Sequence, residues 1–176
     1  MRKADVELLF DYLFWLRDRI LSAATQLSPE EFTSSETVWS RDLRATLVHE
    51  LDVEFSWRER LRGEPLEKWG PDAELKPEAY PTLEALADHW RRDQAEMRSW
   101  LAALSDEDLA TKPPGEKELF PLWFYVMHLL SHAIQQCTVA GVLLTRVGQS
   151  PGDLEFLDFA DTLKRTRGEE LGFVAD

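Results

Sequence analysis

Four stretches of the chain carry apolar residues at steps of three and four, and polar or proline-rich segments separate them. Over residues 3–27 the stripe runs through Val6, Phe10, Leu13, Phe14, Ile20 and Leu21, the period of an amphipathic helix, with Tyr12 and Trp15 three apart. Ser28-Pro29-Glu30-Glu31 has the form of a capping box, so a short helical turn is predicted to follow and to fade by Thr33. A second helix is predicted over residues 41–62, capped by Ser40 and stopped by Gly63, with Leu43, Leu47, Val48 and Leu51 facing inward. Pro65, Gly70, Pro71, Pro77 and Pro81 exclude a long helix over residues 64–81, leaving a connection tethered by Trp69 and Tyr80. Thr82 caps a third helix over residues 83–104, and Ser105 begins another capped turn. Residues 112–120 form a loop built on Pro113, Pro114 and Gly115, whose pattern is also compatible with a short strand pair near residues 111–120.

The fourth stretch, residues 121–147, has Pro121 at the first helical position and Gly148 at its end, the punctuation of a helix about 40 Å long. Its apolar residues cover most of the circumference, so it should be covered on nearly all sides, by the other helices or in part by a second subunit. A turn over residues 149–153 leads to a short terminal helix with Leu154, Phe156, Leu157 and Phe159. No segment shows convincing strand alternation. The expected fold is all-α, a four-helix bundle with a short extra C-terminal helix, in one domain over residues 1–165 with a polar tail at 166–176.

Charge narrows the partners. The net charge of −13 repels nucleic-acid backbones and anionic membrane surfaces, and the basic clusters at 58–62 and 164–167 read as solvated helix ends. Asp5, Glu7 and Asp11 interrupt the N-terminal apolar residues, which spoils a signal peptide and a membrane span alike. Cys137 is the only cysteine, so no intrachain disulfide forms, and a reducing, cytosolic setting is expected.

The candidate chemistry lies in the fourth helix. His128 and His132 are four residues apart, as are His132 and Gln136, and side chains at that spacing can converge on one ion. His128 and Gln136 are separated by roughly 12 Å of helical rise, so all three do not share an ion. A third ligand from another helix would complete an open site, and His49 is the natural candidate. Glu50 and Asp52 adjoin His49 in sequence but are expected to point off the metal face, and His89 reads as a surface residue. The run beginning His49-Glu50 is not a zincin motif, because Val53 stands where the second His is required. Cys137 has no cationic neighbour in sequence and reads as a packed residue. Neither a phosphate-binding glycine loop nor a nucleophile elbow is present.

The chain resembles the DinB family, bundle proteins grouped with the YfiT-like metal-dependent hydrolases. The resemblance is carried by Tyr12 and Trp15, by Leu47-Val48-His49-Glu50 with Trp57 and Gly63, by His128-Leu129-Leu130-Ser131-His132, and most specifically by Gly148-Gln149-Ser150-Pro151-Gly152-Asp153-Leu154. It implies up-down-down-up connectivity, homodimers, and a nickel or zinc site made by one His on the second helix and two, four apart, on the fourth. Carried onto this sequence, the ligands are His49, His132 and Gln136, the last an amide where the family pattern has a third imidazole, followed by Cys137 where it has Arg. An amide oxygen is a poorer ligand for a borderline-soft ion. Three outcomes stay open: His128 replaces the missing ligand, Gln136 completes a weaker site, or the site has lost its metal. With metal, the relatives imply a transferase, isomerase or hydrolase acting on a small molecule with a low-molecular-weight thiol, in a pocket lined by Tyr12 or Trp15. Without it, the chain would be a non-enzymatic, stress-associated bundle holding a small apolar ligand or acting as a scaffold.

Overall fold

The computed structural model describes residues 1–33, 36–114 and 120–167, and the chain is all-α. In chain order the helices are α1 (Lys3–Ala24), α2 (Pro29–Phe32), α3 (Leu43–Leu61), α4 (Leu83–Ala103), α5 (Asp106–Ala110), α6 (Leu122–Arg146) and α7 (Phe156–Arg167). Each of α1 and α3 packs against both α4 and α6. Among the described residues the only strand-like pairing is an isolated bridge between Val38 and Arg41, so no strand forms at 111–114 or at 120. Residues 115–119, inside the loop predicted there, and 168–176, most of the predicted tail, lie outside the described residues.

Capping sets most of the boundaries. Ser28 with Glu31 and Ser105 with Asp108 close capping boxes, and Thr82 accepts the Ala85 N–H, as the sequence predicts. Gly63 and Gly148, at φ +78° and +81°, end α3 and α6 in the left-handed conformation. Three boundaries differ from expectation. The N-cap of α3 is Asp42, which accepts the Ala45 N–H at 2.7 Å, and not Ser40. Trp39 and Ser40 have φ of 52° and 66° at the tip of a turn closed by backbone bonds between Val38 and Arg41. A left-handed residue lacks the extended backbone an N-cap requires, so the role passes to the next suitable side chain. The helix α1 ends at Ala24, with Thr25 making the last bond four residues back, to Leu21, before Gln26 and Leu27 bond three residues back. Pro121 is the N-cap of α6, with ψ 160°, rather than its first helical residue.

The long connection contains three 3-10 turns, at Leu66–Lys68, Pro71–Ala73 and Pro77–Ala79. Tyr80 is buried, and Trp69 is half-buried and donates to the Glu64 carbonyl at 2.8 Å. Leu13, Ile20, Leu51, Leu86, Met97, Ala133 and Leu144 lie at the centre of the core. Within the single chain the cover of α6 is partial: Trp123, Phe124 and Val142 are exposed, on a strip that also carries His128, Ser131 and Thr138. The contacts with α1 and α3 cover its inner sides and leave this strip to solvent. At the C-terminal end, Tyr12 donates to the Leu154 carbonyl at 2.7 Å, and its ring packs on Trp15, Phe156 and Phe159. No helix among the described residues is long and apolar enough to cross a membrane.

Candidate metal centre

The pairing of α3 with α6 brings together side chains far apart in sequence. Leu43, Leu47 and Leu51 bury one stripe of α3, and Leu129, Ala133 and Ala140 bury the facing stripe of α6. His49 and His132 flank these stripes, half-buried. Their Nε2 atoms stand 3.2 Å apart, with the rings nearly perpendicular at 73°. Gln136, buried one turn beyond His132, places its amide nitrogen 3.5 Å from the same Nε2. His128 is exposed on the outer side of this group: its ring lies against Trp57 at 5.0 Å and meets the His132 ring in a tilted contact at 6.3 Å.

The other face of His132 meets a group expected elsewhere. Glu50 does not point off the site, because its Oε2 lies 3.2 Å from His132 Nδ1. Position 50 falls between Leu47 and Leu51 on the inward face of α3, and the side chain is 1% exposed. Asp52 does point away, accepting the Leu75 N–H at 2.8 Å. Behind Glu50 runs a row of buried charges at i, i+4 and i+8 on α3: Glu50, Glu54 and Arg58. Arg17 of α1 reaches Glu54 at 2.5 Å and Glu50 at 3.9 Å, while its guanidinium lies 4.5 Å above the Trp90 ring. Trp90 also donates its indole N–H to Glu54 at 3.2 Å. Arg58 pairs with Asp93 of α4 at 2.5 Å, which corrects the expectation of a solvated basic cluster at that position. His89 is likewise not a free surface group, since its Nδ1 lies 2.6 Å from the Tyr80 hydroxyl.

Burial controls the protonation of these groups. It is the main reason His49 is held down at about 4, with Arg41 and His132 adding to the effect, and burial followed by Arg41 also lowers His132. Both imidazoles are therefore neutral and available as ligands at neutral pH. Burial pushes the Glu50 carboxyl well above its ordinary value, Glu54 adds to this, and Arg17 opposes it. Cys137 is buried and burial raises its thiol, so it is no nucleophile.

The pair of imidazoles fits a divalent ion. Two nitrogens bound at about 2.0–2.1 Å around a tetrahedral ion lie roughly 3.3 Å apart, close to the 3.2 Å found between His49 and His132. Turning the Gln136 amide over, an assignment set by its surroundings, brings its oxygen toward the same point. Among the described residues no three His, Cys, Asp or Glu side chains form a metal-binding group, and the polar side chain beside the two imidazoles at His132 Nε2 is the Gln136 amide.

The DinB family model matches residues 1–169. The chain belongs to the DinB family. The match spans every helix of this DinB protein, and His49, Glu50, His132 and Gln136 all lie within it. A search of curated proteins gives no match to the chain. Sequence reasoning missed Glu50, Glu54, Arg17 and Asp93. The available signal was the spacing of Glu50, Glu54 and Arg58, which continues the buried face of α3 where solvated charges would depart from it.

Proposed function

We propose that this DinB protein binds one nickel or zinc ion between α3 and α6 and uses it on a small molecule. His49, His132 and the Gln136 amide oxygen are the ligands, with water or substrate completing the shell. The reading rests on the 3.2 Å approach of the two Nε2 atoms, at a distance that suits two ligands of one ion. A bound ion there supplies Lewis acidity, lowering the pKa of water or of a low-molecular-weight thiol enough to make a nucleophile at neutral pH. The reaction class is thiol-dependent transfer, isomerisation or hydrolysis, in a cytosolic setting. His128, one turn away against Trp57, is outside the ligand set in this reading.

The chain order of contacts supports an up-down-down-up four-helix bundle. Lys3 at the start of α1 bonds the Ala102 carbonyl at the end of α4, an antiparallel arrangement. Glu54 meets Trp90 and, one turn on in each helix, Arg58 meets Asp93, so α3 and α4 run in parallel. Glu50 meets His132 while Trp57 meets Tyr125, so α3 and α6 run antiparallel. The exposed aromatic end of α6 is the face proposed for a homodimer.

A second reading, a non-enzymatic bundle whose site no longer holds metal, is favoured by one observation: the third donor is a neutral amide. Metal analysis of protein purified without an affinity tag separates the two. About one ion per chain is expected in the wild type, and none in His49→Ala or His132→Ala. Absence of bound metal after supplementation with nickel, zinc and manganese would sink the metal reading.

A further inference from the structure

Glu50 is an unusual core residue. A buried carboxylate is costly unless several donors and a close cation compensate it, and Glu50 has one hydrogen-bond contact and only a share of a cation held more closely by Glu54. Arg17 is committed to Glu54 at 2.5 Å and stands 3.9 Å from Glu50. Glu50 Oε1 has no hydrogen-bond partner, and Oε2 has His132 Nδ1 at 3.2 Å. A carboxylate serving stability alone would be expected to hold the tighter contacts that Glu54 makes with Arg17 and Trp90. The one well-formed interaction of Glu50 is directed at the outer nitrogen of the imidazole whose Nε2 faces His49.

We propose that Glu50 is the positioning residue of the site, accepting the Nδ1–H of His132 and thereby fixing the ring with its Nε2 lone pair toward His49 and Gln136. A neutral imidazole that gives its Nε2 lone pair to a metal carries its hydrogen on Nδ1, and a buried acceptor at that nitrogen holds both the tautomer and the ring plane. Arg17, anchored by Glu54 and the face of Trp90, supplies the positive charge behind the carboxylate. The positioning chain thus runs α1, α3, α6, and its carboxyl, Glu50, adjoins His49 in sequence but serves His132 across the interface between α3 and α6.

The inference rests on the metal reading above and is tested by zinc affinity and by metal-free melting temperature. Glu50→Leu keeps the volume and removes the acceptor, whereas Glu50→Gln keeps an acceptor oxygen. Competition with a chromophoric chelator is expected to show zinc binding weakened by about 10- to 100-fold in Glu50→Leu, with Glu50→Gln falling between it and the wild type. Both variants without metal are expected to melt at or above the wild-type temperature, because each removes a buried carboxyl whose ionised form the core compensates poorly and leaves Arg17 paired with Glu54. Wild-type zinc affinity in Glu50→Leu overturns the proposal and leaves the metal reading intact. A marked drop in the metal-free melting temperature of both variants also overturns it, by making Glu50 structural. A wild-type chain that binds no zinc removes both.

Discussion

At residue 136 a single amide separates this chain from a site with three imidazoles. Gln136 is buried four residues beyond His132, and its side chain already approaches His132 Nε2. Gln136→His therefore places a third imidazole where the amide stands, and zinc affinity measured by chelator competition is expected to rise by at least about tenfold, about 1.4 kcal/mol. His128→Ala, by contrast, is expected to leave affinity within about twofold, since that ring packs edge-on against Trp57 and meets the site only through a tilted contact with the His132 ring at 6.3 Å. Loss of binding in His128→Ala would move the ligand set one turn toward the start of α6. Arg17 is the other residue on which the site depends, because it is the cation shared by Glu50 and Glu54. Arg17→Met leaves two buried carboxylates without their cation, and urea denaturation is expected to show a loss of about 3 to 5 kcal/mol. His49 entered only as a candidate from another helix and through the family resemblance, whereas His132 was legible in the sequence because its four-residue spacing from His128 and Gln136 on an apolar helix is a local pattern. Glu50 was not, because a carboxylate beside a candidate ligand reads as solvated until the facing helix supplies its partner.

At the scale of elements, α3 and α4 are joined across the core by Arg58 and Asp93, and this contact gives stability a pH dependence. Asp93 has its pKa raised from 3.8 to about 6, chiefly by burial, with Arg58 opposing, Glu54 reinforcing and Arg17 opposing. A carboxyl raised in the folded state contributes stability that is present below the unfolded value, near pH 4, and lost as pH rises through about 6. Asp93→Asn lacks this titration. Measured by urea denaturation at pH 4 and pH 7, its stability relative to the wild type is expected to improve with rising pH by up to about 3 kcal/mol. Parallel pH profiles for the two proteins would exclude Asp93 as the source. The four long helices themselves were readable from their apolar period, and Thr82 before α4, like Ser28 and Ser105 before the short α2 and α5, is a local signal for local structure. The start of α3 was misread at Ser40 because the left-handed turn of Trp39 and Ser40 is set by the pairing of Val38 with Arg41, which side-chain type does not announce.

For the whole molecule, the chain's own helices enclose α6 only in part, and what covers the rest concerns assembly. Apolar character around a helix indicates that something covers it, but not whether the cover is the same chain. Trp123 and Phe124 at the start of α6 are exposed, at 37% and 42%, and Phe120 stacks on Phe124 at 4.2 Å, so three aromatic rings gather at one end of the molecule. The rings touch one another and form a contiguous exposed patch, and burying it against the same patch of a second copy would satisfy a two-fold arrangement without any further element. If this end is the proposed homodimer face, sedimentation velocity at micromolar concentration will show a dimer for the wild type and a monomer for the double variant Trp123→Glu with Phe124→Glu. A weakening of at least about 100-fold, about 2.7 kcal/mol, is expected from losing two buried aromatics and placing like charges in opposition. The melting temperature of the variant in dilute solution should change little, because neither side chain belongs to the buried core. A wild-type chain that sediments as a monomer would instead leave the aromatic end unpaired, and a variant that remains dimeric would place the interface on another face.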